Sequence, residues 1–176
     1  FMHYHMGVTA ENVARMCKIT REQMDEFALQ SHLKAEAAIK AGKFKDDIVP
    51  VEIKGRKGVT VFDEDETVRF GAKLEDFQKL KPCFITDGTG LVTAGNSSPC
   101  NDEGAAVVMM SLDKARKLGL TPKCAIRAFA SAGVDPSIMG YAPVSAVRKL
   151  LDKTGMRKED IDLWELNEAF AAQSLA

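Results

Sequence analysis

Apolar runs of strand length alternate with helical segments over the second half of the chain, and this alternation constrains the fold most. The runs cover residues 105–110, 125–130 and 161–166, and helices are predicted between them at 111–118 and 143–153. Near-continuous apolar strands are typical of strands that are buried on both faces. Strands of this kind separated by helices predict an α/β fold with a parallel or mixed sheet.

The first half of the chain predicts two helices and a β-hairpin. One helix is expected at 9–18, and a second begins at Thr20, which has capping-box spacing with Gln23 and is followed by a stop at Gly42. Alternating apolar residues on either side of a Lys-Gly-Arg-Lys-Gly turn at 54–58 predict two paired strands.

A long segment rich in Gly, Thr, Ser, Asn and Pro separates these two patterns. It covers residues 81–101, and an irregular segment of this length inside a compact domain is usually functional or a linker. We therefore place a domain boundary near Cys100.

Composition excludes several classes of protein. Hydrophobic residues make up 45% of the chain and charged residues 28%, as in ordinary globular proteins. A net charge of −1 gives no bulk attraction for nucleic acid, and no apolar window is long enough to predict membrane insertion. The cysteines are widely spaced without any CxxC pair, so we expect a reducing, intracellular setting and neither a zinc site nor disulfides. They are Cys17, Cys83, Cys100 and Cys124.

Three clusters could carry chemistry, and each has a plainer interpretation. His3 and His5 could bind a metal, but no acidic or cysteine ligand lies nearby, so packing or ligand contact is favoured. The small residues at 93–98 would let a ligand approach the backbone, or form an ordinary turn. Asn167 follows an apolar run and precedes a predicted helix, where it could hold a water or an anionic oxygen, or simply cap the helix. Spacing alone does not decide between ligand contact and an ordinary turn at 93–98. It also does not decide between oxygen binding and helix capping by Asn167.

Several motifs, in order and over essentially the whole chain, resemble those of thiolases of the biosynthetic acetyl-CoA acetyltransferase type. They are HMGVTAEN at 5–12, KGRKG at 54–58, TAGNSS at 93–98, ND with GAA at 101–106, and NEAFAA at 167–172. The resemblance implies part of a layered α-β-α-β-α fold with an inserted loop domain. Residues 1–100 would be the CoA-binding loop domain, 101–121 the end of the amino-terminal core half, and 122–176 the start of the carboxy-terminal half.

The resemblance also implies an activity. The family's biosynthetic members condense two acetyl-CoA molecules reversibly to acetoacetyl-CoA and CoA by a Claisen reaction. One cysteine is acylated and a second acts as base, so CoA thioesters are the substrates and no cofactor is needed. For the intact protein we expect a cytoplasmic homotetramer.

The site residues follow from the resemblance one by one. Asn167 matches the asparagine that holds a water of the oxyanion hole. The other matched positions contact CoA or the acyl group: His5, Met6, Arg69, Phe84, Ala94, Ser98, Met139, Ala169 and Phe170.

The family's Cys-x-Ser-Gly, Gly-His-Pro and Cys-x-Gly-Gly motifs are missing from this sequence. We therefore expect a segment of a longer protein that is inactive alone, since positioning groups do not replace a nucleophile and a base. The alternative is a non-catalytic acyl-CoA-binding or assembly module of the same fold. Because strands covered on both faces would lack neighbours in this segment, we also expect association with missing parts or other copies.

Overall fold

The computed structural model describes residues 4–176, which form two compact units. The first consists of Phe1–Pro99 together with Leu166–Ala176, and the second of Cys100–Glu165. The division after Pro99 lies next to the boundary that we placed near Cys100. The division between residues 121 and 122 stays a prediction.

Two helices form the frame of the first unit. Helix α1 spans Met6–Cys17 and begins earlier than predicted, because His5 Nδ1 accepts a hydrogen bond from Gly7 N at 3.0 Å and caps the helix. Helix α2 spans Arg21–Lys40, and both hydrogen bonds of its capping box with Thr20 form. Both predicted helices are therefore confirmed.

The predicted hairpin is also confirmed. Strands β1 (Val51–Gly55) and β2 (Gly58–Phe62) pair antiparallel, with Gly55 opposite Gly58. Short helices α3 (Leu74–Gln78) and α6 (Ala171–Leu175) complete this unit.

The main core cluster of the first unit is rich in alanine. Helix α6 packs against both α1 and α2, and the alanines at their contacts allow close approach. A buried carboxylate ties the following chain to α1, because Glu11 is fully buried and accepts hydrogen bonds from Leu91 N and Val92 N, both at 2.8 Å. The buried cluster consists of Ala10, Ala14, Met24, Val92, Ala171 and Ala172.

The second unit contains both helices that were predicted for it. Helix α4 spans Leu112–Lys117 behind the capping hydroxyl of Ser111, and helix α5 spans Ala142–Thr154. Two 3₁₀ helices, Pro136–Tyr141 and Lys158–Asp160, flank α5.

The three predicted buried strands are wrong for this structure. Residues 105–110, 125–130 and 161–166 have no strand partner, and β1 and β2 are the only strands among residues 4–176. A central strand exists only when neighbouring strands satisfy its backbone groups. The side chains show the same lack of neighbours, since Val108 is 89% exposed and Phe129 79%.

Candidate functional site

The first unit contains a pocket of about 810 Å³, a volume typical of small-molecule sites. Helix α2 forms one wall, and four other segments form the rest: the loops at 67–72 and 94–99, the region of α3 at 76–80, and residues 168–171 at the start of α6. The lining combines aromatic rings, the cation Arg69 and the backbone of a loop of small residues. It comprises Phe27, Ala28, Ser31, His32, Thr67, Arg69, Phe70, Gly71, Ala72, Asp76, Phe77, Leu80, residues 94–99, Glu168 and Ala171.

The small-residue loop at 93–98 is held by a buried polar network. Asn96 is 3% exposed, and its Oδ1 accepts from Thr93 N at 2.8 Å. Its Nδ2 donates to Oδ1 of the fully buried Asp25 at 3.0 Å, and Arg21 Nε donates to the other Asp25 oxygen at 2.7 Å. These buried hydrogen bonds fix the backbone of the loop. Ala94 and Ser98 of the same loop line the pocket.

A row of aromatic rings joins the start of α1 to the segment 166–170 that carries Asn167, which we call the Asn167 loop. His5 stacks on Phe84 with ring centroids 4.8 Å apart, and Phe84 meets the edge of Phe170 at 6.4 Å. The stack requires Gly7, since a Cβ there would lie 2.3 Å from the Phe84 ring. Met6 follows His5 and is 52% exposed.

The Asn167 loop lies directly against the small-residue loop. Ser98 N donates to Ala169 O at 2.9 Å, and Phe170 forms an antiparallel bridge with Ser97. On the other side, Ser31 of α2 donates its hydroxyl hydrogen to Glu168 Oε2 at 2.6 Å. Three residues that the resemblance matched to ligand contacts, Ser98, Ala169 and Phe170, thus lie on adjacent segments.

Asn167 itself is exposed and does not cap a helix. The N-cap of α6 is Phe170, three positions later, which removes the capping interpretation. The expectation that Asn167 ends a buried strand is wrong, because 161–166 is not a strand. Asn167 is not among the residues that line the pocket, but the adjacent Glu168 is.

Arg69 lies on an irregular segment that is fastened to α2. Its backbone N donates to His32 Nδ1 at 3.2 Å, and Gly71 N donates to Glu36 Oε2 at 2.8 Å. Burial lowers the pKa of His32 below its ordinary value, and the positive charge of Arg69 lowers it further. The pKa of Glu36 is lowered by hydrogen bonds from Lys40 and then from Gly71 N. At neutral pH His32 is therefore a neutral acceptor and Glu36 a carboxylate.

Met139 lies in the second unit, in the 3₁₀ helix Pro136–Tyr141, and is 42% exposed. Its predicted acyl-wall role stays a prediction.

The described residues offer no metal centre or disulfide. Residues 4–176 hold no group of three or more His, Cys, Asp or Glu side chains that could bind a metal ion, and His3 lies outside this range. All four cysteines are free thiols, and none lines the pocket. In the same range, no helix is long and apolar enough to cross a membrane.

Sequence reasoning missed the contribution of α2. Ser31 and His32 line the pocket, while Asp25 and Glu36 hold its loops. A signal was present, because polar residues at 25, 32 and 36 recur at helical spacing on a stripe that also carries the buried Ala28.

Comparison with protein families gives two matches that together cover almost the whole chain. The thiolase N-terminal domain matches residues 1–113, and the thiolase C-terminal domain matches residues 120–176.

Curated relatives agree with these matches. An acetyl-CoA acetyltransferase from Paracoccus denitrificans is 56% identical over 176 residues, which is all of this chain and 44% of the relative. A beta-ketothiolase from Cupriavidus necator is 53% identical over the same length and share. The chain thus spans less than half the length of these relatives.

Solved structures confirm the α/β fold class. The crystal structure of the Bacillus anthracis acetyl-CoA acetyltransferase matches with a TM-score of 0.91 and 49% identity, over 99% of this chain and 44% of that one. Human mitochondrial 3-ketoacyl-CoA thiolase matches with a TM-score of 0.84 and 44% identity, over 97% and 42%. With both family domains matched in order along its length, the chain belongs to the thiolase family.

Proposed function

We propose that this chain is the CoA-binding part of an acetyl-CoA acetyltransferase and carries one residue of its oxyanion hole. The observation that supports this most is the pocket of about 810 Å³ whose wall at 94–98 is hydrogen-bonded to the loop that carries Asn167. A single unit therefore offers a ligand cavity and, beside it, an exposed carboxamide.

The chemistry of the lining suits a nucleotide with an extended arm. A planar guanidinium can pair with phosphate oxygens or stack on a base, so Arg69 is the anion contact. Phe70, which is 53% exposed, supplies a face on which adenine can stack. The small residues Ala94 and Ser98 leave room for the pantetheine arm to lie along the backbone, towards the row of rings formed by His5, Phe84 and Phe170.

Asn167 is the catalytic residue in this proposal. Its carboxamide can hold a water that donates a hydrogen bond to the thioester oxygen, where negative charge develops in the transition state. The intact protein would condense two acetyl-CoA molecules reversibly to acetoacetyl-CoA and CoA, with no resident cofactor. The nucleophilic and basic cysteines would come from motifs that this sequence does not contain.

The proposal extends to assembly and location. The apolar side chains exposed at 105–110, 125–130 and 161–166 are suited to burial against further protein, either the missing parts of the intact protein or other copies of the chain. For the intact protein we propose a homotetramer. The free cysteines suit a reducing compartment and support a cytoplasmic location. Sedimentation velocity of the intact protein tests the homotetramer, and a single monomeric species would contradict it.

Direct binding tests the pocket. Titration calorimetry of CoA against the chain should give a measurable affinity, and Arg69→Ala should weaken it about tenfold, because one charge-assisted contact is lost. Arg56→Ala is the matched control, since Arg56 is an exposed arginine between β1 and β2 that does not line the pocket. We expect that control to stay within about twofold of wild type. Failure of CoA to bind, or equal losses for both variants, would contradict the proposal.

Catalysis is tested in a chimera in which this chain replaces the matching 176 residues of the Paracoccus denitrificans relative. The chimera should cleave acetoacetyl-CoA with CoA, and Asn167→Ala should lower kcat about 10² to 10³-fold, as expected when an oxyanion contact is lost. The isolated chain should show no cleavage above the buffer rate. A folded, CoA-binding chimera without activity would instead favour the non-catalytic binding module.

A further inference from the structure

One face of α2 fastens separate loops of the pocket through polar side chains. At the start of the helix, Asp25 holds the small-residue loop through Asn96. Two turns later His32 accepts from Arg69 N, and one turn further Glu36 accepts from Gly71 N. The intervals of seven and four residues place these acceptors along one side of the helix. Helix α2 therefore acts as a common support for loops that are distant in sequence.

The segment Arg69–Gly71 depends on this support most. It belongs to no helix or strand, and its Gly71 adopts a left-handed φ of +67°. Without the regular hydrogen bonds of secondary structure, its amides need acceptors from elsewhere. Those acceptors are the side chains of His32 and Glu36.

Both acceptors are themselves held in place. The Glu36 side chain is only 13% exposed and forms an ion pair with Lys40 on the next turn. Lys40 Nζ also lies 6.0 Å from the ring centroid of Phe70, the residue between Arg69 and Gly71. The His32 ring packs against Phe77 at 5.7 Å. Fixed acceptors can impose one backbone position on the segment, whereas mobile acceptors could not.

We propose that His32 and Glu36 are positioning residues that hold the Arg69–Gly71 segment so that the Arg69 guanidinium is aimed at a ligand phosphate. They act through the backbone of the segment and need not touch the ligand. This inference rests on the proposed function, in which Arg69 is the anion contact of the CoA pocket. It adds that Arg69 is pre-organised by α2, which lowers the entropy lost on binding.

A double-mutant cycle on CoA affinity tests whether Glu36 acts through Arg69. Glu36→Ala should weaken CoA binding about fivefold, and Glu36→Gln should stay within about twofold, because the amide oxygen still accepts from Gly71 N. In the Arg69→Ala background, Glu36→Ala should cause no further loss. Glu26→Ala is the matched control, since Glu26 is an exposed residue of α2 that does not line the pocket. Additive losses in the double variant would overturn the inference, because a general structural role predicts additivity.

Amide hydrogen exchange tests the positioning without any ligand. In the free chain, Glu36→Ala should speed exchange of the Gly71 amide about tenfold, and His32→Ala should do the same for the Arg69 amide. The acceptor-retaining variants Glu36→Gln and His32→Asn should restore slow exchange. Unchanged exchange in both alanine variants overturns the inference even if CoA binds. Should Arg69→Ala leave CoA affinity unchanged while exchange responds as expected, the pocket proposal fails and the positioning of the segment stands. Should one alanine variant fail to fold, the other tests the same segment.

Discussion

Replacing Asn96 by alanine should destabilise the first unit strongly without touching its apolar core. The Asn96 side chain accepts from Thr93 N at 2.8 Å and donates to Leu91 O at 3.2 Å and to Asp25 Oδ1 at 3.0 Å. Alanine leaves each of these groups without that partner in a site where Thr93 and Asp25 are fully buried. An orphaned neutral group costs about 1 kcal/mol and a charged one about 1.5 to 2 kcal/mol. The free energy of unfolding should therefore fall by about 3.5 to 4 kcal/mol, out of the roughly 5 to 15 kcal/mol typical of a domain.

Asn96→Asp separates the shape of the side chain from its donor capacity. The carboxylate can still accept from Thr93 N, but its second oxygen would face Asp25 Oδ1, and two buried carboxylates repel unless one binds a proton. We expect this variant to be less stable than Asn96→Ala at pH 8 and to recover part of the loss at pH 5. Asn101→Ala, an exposed control, should stay within about 0.5 kcal/mol of wild type.

Urea unfolding followed by circular dichroism at 222 nm is the appropriate assay. The longest helix, α2, lies in the first unit, whereas the single tryptophan, Trp164, lies in the second and would report on the wrong part of the chain. A loss below about 1 kcal/mol for Asn96→Ala would refute the reasoning. So would an aspartate variant that is more stable than the alanine variant at pH 8.

Three further predictions concern other contacts. Thr20→Ala should lower the free energy of unfolding by about 1 kcal/mol in urea titrations, because α2 loses its N-cap; an unchanged midpoint would contradict this. The lowered pKa of His32 means that the folded chain resists protonation there. The contribution of His32 to the free energy of unfolding should therefore be complete above pH 6.5 and should be lost as the pH falls below that value. The matched variant His32→Asn should show a smaller fall between pH 7.5 and 5.5, and identical profiles would contradict the assignment. Gly7→Ala should push the Phe84 ring off its stack, with a lower melting temperature and weaker CoA binding by calorimetry; unchanged values of both would show that the ring adapts freely.

Local signals in the sequence were sufficient for helices α1, α2, α4 and α5 and for the hairpin. The capping box at Thr20 and the glycine-bounded turn at 54–58 act within a few residues, so each element could be predicted from its own segment. The structure of the apolar runs at 105–110, 125–130 and 161–166 could not be predicted from each segment alone. Their pattern indicates burial on two faces, but pairing depends on strands elsewhere in the chain, which a segment's own sequence does not supply.

The candidate site was predictable where a motif carried it. The resemblance indicated Ser98, Ala169 and Phe170 as contacts of one ligand. The structure places their segments side by side, since Ser98 N donates to Ala169 O and Ser97 bridges Phe170. It could not indicate that α2 is the wall to which the loops are fastened. The Ser31 to Glu168 contact joins residues 137 positions apart, and no short-range pattern in the sequence encodes that separation.

The first unit is discontinuous along the chain, and this has a topological consequence. Phe1–Pro99 and Leu166–Ala176 meet where Ser97 forms an isolated antiparallel bridge with Phe170, so Cys100–Glu165 is an insert between two neighbouring backbone segments. Joining Pro99 to Leu166 through a short glycine linker would excise that insert and keep every residue that lines the pocket. Trimming the chain from its carboxy-terminal end would instead remove Glu168 and Ala171 first. The smallest protein that retains the cavity is therefore obtained by an internal deletion, with both termini left intact.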